Sequence, residues 1–275
     1  FSVGISHDGP AMRFRGPDPL EDPSQRAAIR KLYDRLRPWG RIGFNCVLHK
    51  HNTSLAAVRR HIAELLGVPV DDLQLTTEEI LLPYDQGGTT LSPQTQEEHR
   101  TYLEAVFWEA VRGESMPVST LRGKIEEFFR SLAQARPAST LGQKCGMDRP
   151  GDLAVDLKGN VLTCQNTSAA TKHRIGSIEA FEDIRLTTAH HWSTREECRN
   201  CPVLQLCQGA CLFLEDGLWR QACDNSFTHN LAVLAASLYW LTRLVLVEIE
   251  GPVMRRNGLP TRIPVITLPA ELAAA

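Results

Sequence analysis

Seven of the eight cysteines obey one spacing, and that spacing limits the chain more than any other feature. From Cys198 it reads C-x2-C-x5-C-x3-C-x11-C, through Cys201, Cys207, Cys211 and Cys223. Upstream, Cys145 and Cys164 flank Gly159 as C-x13-G-x4-C, and a gap of 33 residues separates the two pieces. A C-x2-C pair brings two sulfurs to one ion across a tight turn. Soft thiolates gathered this way select iron–sulfur clusters or zinc over hard cations. Disulfides suit small secreted domains, and nothing in the sequence marks secretion. Structural zinc takes four ligands per site, so seven thiols would need an eighth ligand from histidine or another residue.

Eight cysteines without secretory features point to a reducing compartment, the cytoplasm, and to metal ligation. The net charge is −2, with acidic and basic residues interspersed, so there is no electrostatic footprint for nucleic acid. The most apolar stretch, residues 231–247, contains Ser237, Thr242 and Arg243. A buried helix is expected there, not a membrane span.

Hydrophobic periodicity gives the first part of the chain a βαβαβ reading. Residues 1–6 form a strand that runs into a turn at His7-Asp8-Gly9-Pro10, followed by loop. Ser24 caps a helix carrying Ile29, Leu32 and Leu36. Residues 41–50 form a second strand, expected to be buried on both faces, which makes Cys46 a core thiol. Asn52-Thr53-Ser54 caps a second helix that Gly67 ends, and residues 73–76 form a third strand. Residues 78–94 read as loop. Ser92-Pro93 starts a long helix bearing Leu103, Val106, Phe107 and Ala110, and another helix spans residues 120–135. Further on, Lys158-Gly159-Asn160 makes a hairpin turn that aims Cys145 and Cys164 at one site. A last helix is expected over residues 227–248, with Gly251-Pro252 ending it and a loose tail beyond.

The cysteine spacing resembles the seven-cysteine SPASM domain, the C-terminal extension of many peptide- and protein-modifying radical S-adenosylmethionine (SAM) enzymes. Ser6-His7-Asp8-Gly9-Pro10 resembles the "S-x-D-G-P" end of the fourth barrel strand of such enzymes, and Phe44 through Asn52 resembles the fifth. The usual "H-D-x-x-R" after "D-G-P" is absent, with Arg13-Phe-Arg-Gly-Pro in its place. The resemblance implies an α/β chain: the C-terminal part of a partial (β/α)6 TIM-like barrel over residues 1–136, then a small cysteine-rich α+β SPASM domain over residues 137–226, then a C-terminal helix and tail over residues 227–275.

The resemblance also implies two auxiliary [4Fe–4S] clusters, interleaved along the sequence. Cys198, Cys201, Cys207 and Cys223 would hold one. Cys145, Cys164 and Cys211 would hold the other, whose fourth ligand is missing, since Ser139, Thr140 and Lys144 precede Cys145 without a cysteine. Ser6, Asp8 and Asn45 become candidates for contacts to SAM, against plain turn chemistry for Asp-Gly-Pro; Gln74 and Leu75 would border its adenine. His190-His191 reads as a surface pair, not as ligands. The C-x3-C-x2-C loop that holds the SAM-reducing cluster does not occur. The chain is therefore expected to be a fragment, inactive alone, of an enzyme with SAM and a third [4Fe–4S] cluster.

Such an enzyme would be an oxidoreductase acting on a peptide or protein, supplied with electrons by a flavodoxin or ferredoxin, without nucleic-acid or membrane partners. The rivals are an anaerobic sulfatase maturase, a non-catalytic iron–sulfur scaffold or electron carrier, and a structural zinc module. Gln165 bears on the first rival. In sulfatase maturases that this region resembles, an Asp follows the second motif cysteine and serves as base. A carboxamide cannot accept that proton, and Glu78, Glu79 or Asp85 would have to supply it instead.

Overall fold

The computed structural model describes residues 1–84, 86–149, 151–249 and 263–264. Three parallel strands come first: β1 (Val3–Ser6), β2 (Ile42–Leu48) and β3 (Leu75–Ile80), in that order across the sheet. Helix α1 (Pro23–Leu36) crosses from β1 to β2, and α2 (Leu55–Leu66) from β2 to β3. The βαβαβ expectation holds. Ser54 caps α2 by accepting from the Ala57 amide, and Gly67 ends it in the left-handed region at φ 65°. For α1 the cap is Asp22, not Ser24: its carboxylate accepts from the amides of Ser24 and Gln25, and Pro23 fills the first turn.

The second strand departs from expectation. Ile42, Phe44, Cys46 and Leu48 are buried, but Gly43, Asn45 and Val47 are only half-buried. The sheet therefore has one packed face and one open face. Cys46 belongs to the packed face, and burial pushes its thiol up to about 12.

The segment read as loop after the third strand holds a short helix, α3 (Gln86–Leu91). The long helix α4 (Gln96–Val111) begins later than Ser92-Pro93 suggested. Thr95 and Glu98 form a reciprocal capping box there, which satisfies more orphan amides than a serine cap alone. Helix α5 (Ser119–Ala133) follows close to its expected place. The cysteine-rich part has a small antiparallel sheet, β4 (Ala154–Val155), β5 (Asn160–Leu162) and β6 (Arg174–Ser177). Gly159 turns the β4–β5 hairpin at φ 80°.

A one-turn helix, α6 (Leu204–Cys207), leads to the longest helix, α7 (Asp216–Thr242). Helix α7 starts eleven residues before the expected Phe227 and passes unbroken through the 226/227 boundary, so Cys223 stands on it. Its residues from Asp224 to Ser237 are buried on every side instead of along one apolar stripe. A helix enclosed in this way must pair its polar side chains. Asn225 donates to Leu81 O at 2.9 Å and Ser92 Oγ at 2.8 Å. Thr228 bonds His99 at 2.7 Å, and His229 bonds Tyr102 at 3.0 Å. The expected end at Gly251-Pro252 and the tail lie outside the described residues, among which no helix is long and apolar enough to cross a membrane.

Candidate iron–sulfur sites

The interval between Cys207 and Cys211 determines where the thiols go. Gln208, Gly209 and Ala210 all take positive φ, at 49°, 79° and 46°. Three consecutive left-handed residues reverse the chain within one turn, and two of them have a Cβ that disfavours this region. Cys207 and Cys211, only four positions apart, thereby join different groups.

The first group is a cavity. Cys198, Cys201, Cys207 and Cys223 line it together with Val203, Trp219 and Phe227, enclosing about 300 Å³ of space that is partly open to solvent. Cys223 reaches it from α7 and Cys207 from the end of α6. Burial pushes the Cys207 thiol up, with Cys201 adding to the rise and Lys124 and Lys144 opposing it. The second group is Cys145, Cys164 and Cys211. Burial raises the Cys145 and Cys164 thiols, and Cys211 raises both further. Tyr84, from the loop after β3, brings its Oη to 3.3 Å from Cys211 Sγ. Asn166 donates its amide to Cys164 Sγ at 3.5 Å, while Gln165 beside it is exposed.

None of the eight cysteines is in a disulfide. Among the described residues, no three His, Cys, Asp or Glu side chains gather into a single-ion site; the four thiols surround a volume. The donor set is all sulfur and the lining otherwise apolar, which fits an iron–sulfur cluster. Two buried N–H groups beside these thiols, Trp219 Nε1 and Arg195 Nε, make no hydrogen bond.

A charged cluster that the sequence did not reveal connects the sheet to this region. Glu79, at the end of β3, pairs with Lys124 and, at 2.9 Å, with Lys144. Lys124 also donates to Asn230 on α7 at 2.6 Å. Burial opposes ionisation of Glu79, but the two lysines outweigh it and hold the carboxyl well below its usual range. Glu79 is thus a permanently ionised anchor and a poor base. The side chain of Glu78, like Asp85, lies outside the described residues.

Ser6, Asn45 and Thr76 form one row across β1, β2 and β3 on the open face, with Thr76 Oγ1 3.2 Å from Asn45 Oδ1. Gln74 shares the open face, whereas Leu75 is buried on the other. Asp8 is fully buried. Its Oδ1 accepts from the Val47 amide at 3.0 Å and its Oδ2 from Arg15 at 2.8 Å, so both oxygens hold the turn. His190 pairs with Glu215 at 2.8 Å, and His191 caps a short turn through Ser193.

No protein-family model matches the chain, and no curated protein matches it. Among solved structures it is similar to anSMEcpe with bound AdoMet, an anaerobic sulfatase-maturating radical SAM enzyme. That match has a TM-score of 0.51 at 16% identity, covering 89% of this chain and 69% of that one. Two further anSMEcpe structures, with bound AdoMet and a Cp18Cys or a Kp18Cys peptide, match at TM-scores of 0.49 and 0.46. Both are 16% identical and cover 87% and 86% of this chain and 70% and 69% of those chains.

Proposed function

The mixed α/β architecture is shared with a radical SAM enzyme, and the likeness is one of fold. We propose that the chain is the sheet and auxiliary-cluster part of a radical SAM/SPASM oxidoreductase that matures a peptide or protein, with residues 1–136 as partial barrel and residues 137–226 as SPASM domain. The observation that carries this reading is the cavity lined by Cys198, Cys201, Cys207 and Cys223. These are the four cysteines that the motif assigns to one cluster. The other three, Cys145, Cys164 and Cys211, act on one another's ionisation, which supports a second cluster with a ligand position not taken by cysteine.

The clusters would supply electron transfer, and the chain's own residues do the rest. The thiols hold the irons, and the buried apolar lining keeps water from them. Ser6 and Asn45, on the open face, would meet SAM, whose binding by anSMEcpe agrees with that use of this fold. Asp8 would shape the same strand end through Val47 and Arg15. A reducing compartment such as the cytoplasm suits eight unbridged cysteines. Because the C-x3-C-x2-C spacing is absent from this sequence, the chain alone should form no 5′-deoxyadenosine from SAM with dithionite.

Gln165 favours a peptide maturase of the ribosomally made natural-product kind over a formylglycine-forming enzyme, since neither Gln165 nor the ionised Glu79 can take the substrate proton. Two assays test these readings. Anaerobic reconstitution followed by dithionite reduction and low-temperature electron paramagnetic resonance (EPR) should show two [4Fe–4S] signals. Bound zinc without sulfide contradicts the function. In an assembly that supplies the missing cluster loop, peptides encoded beside the gene should be modified and a sulfatase Cys or Ser peptide left intact; formylglycine on the latter alone reverses the choice of substrate.

A further inference from the structure

Trp219 stands one turn before Cys223 on α7 and lines the four-thiol cavity. Its indole Nε1 is buried and makes no hydrogen bond. Arg195 lies over the same ring, its guanidinium carbon 3.4 Å from the ring centroid. The Arg195 Nη2 donates to the carbonyl of Leu214 at 2.9 Å and, more weakly, to that of Cys211 at 3.5 Å. Its Nε is the second buried donor without an acceptor. The charge of Arg195 acts on thiols of both groups, Cys198 and Cys223 in one and Cys211 in the other.

Buried N–H groups are rarely left unpaired, because the lost solvation is not recovered. Two such donors beside four thiols call for an acceptor at that site. The sulfurs of an iron–sulfur cluster accept N–H bonds, and such bonds help to set its potential. One-electron reduction puts more negative charge on those sulfurs, so a donor and a nearby cation both favour the reduced form.

Resting on the proposed function, we infer that Trp219 donates its indole N–H to the cluster held by Cys198, Cys201, Cys207 and Cys223, raising its potential, and that Arg195 is a shared positioning cation. Arg195 keeps the indole in place by stacking on it and favours reduction of both clusters.

The test is an EPR-monitored redox titration of the reconstituted chain, with dithionite as reductant. W219F keeps an aromatic ring under Arg195 and removes only the N–H. Iron and sulfide should be unchanged, one midpoint potential should become more negative, and the other should stay where it was. R195Q should move both midpoints in the negative direction. Replacing tryptophan by 5-fluorotryptophan, whose N–H is more acidic, should move one midpoint in the positive direction without any substitution, which covers a W219F chain that fails to assemble. Potentials unmoved by W219F or by fluorination, or equal shifts of both clusters in W219F, overturn the inference while leaving the function standing. A wild-type chain that binds no cluster overturns both.

Discussion

Lys144 Nζ lies 2.9 Å from Glu79 Oε2, so the residue before Cys145 is tied to the end of the parallel sheet. The same carboxylate pairs with Lys124, which reaches Asn230 on the central helix. Removing its charge leaves two lysines facing each other in a largely buried setting. E79Q should therefore destabilise the chain by about 3–5 kcal/mol, the usual cost of breaking a buried ion pair from one side. Urea unfolding at pH 7 measures this, and a loss below about 1 kcal/mol, as for a surface pair, would contradict the anchoring role.

Gly209 is the middle of the three left-handed residues that part Cys207 from Cys211. A Cβ there would meet the Trp192 Cβ at 2.5 Å and the Gln143 amide at 2.8 Å. Positive φ and overlap act together, so G209A should cost about 3 kcal/mol or more. It should also lower iron uptake by the four-thiol site. A210G relieves a residue with a Cβ at φ 46° and should be neutral or stabilising. Equal iron content and equal urea midpoints in G209A and wild type would show that this reversal is not needed.

Acid should weaken the fold in two windows. Burial lowers His49 and His99 to about 4 and His229 to about 3, against 6.5 when unfolded. As pH falls below about 6.5 the unfolded chain takes up these protons first, so each histidine withdraws about 2 kcal/mol by pH 5. The Glu79 carboxylate, whose folded pKa is lowered from 4.5, adds its loss only below that value. The urea midpoint should drop between pH 7 and pH 5, and H99Q should drop less than wild type. A midpoint unchanged over that interval would contradict the buried neutral histidines.

The strand–helix alternation was legible because the β2 and α2 patterns are strongly periodic and because Ser54 and Gly67 mark the ends of α2. The hairpin at Gly159 and the grouping of Cys198, Cys201, Cys207 and Cys223 were legible from spacing and family resemblance. Helix α7 was misplaced because Asp224 to Asn230 are polar, and only the partners on α4 and the loop after β3 explain their burial. With its start moved to Asp216, Trp219 and Cys223 fall four residues apart on one face, a signal that the sequence does contain. Glu79 with Lys124 and Lys144, and Tyr84 with Cys211, are contacts across long stretches of chain that no local pattern encodes.

The account rests on two interleaved clusters, and C201A tests the interleaving most directly. Reconstituted wild type should carry about eight irons and as many sulfides. The variant loses one thiol of the four-thiol cavity and none of Cys145, Cys164 and Cys211. It should keep about half the iron and sulfide, with one cluster signal retained in the EPR spectrum. Full retention, complete loss of both, or bound zinc without sulfide in the wild type would contradict the account.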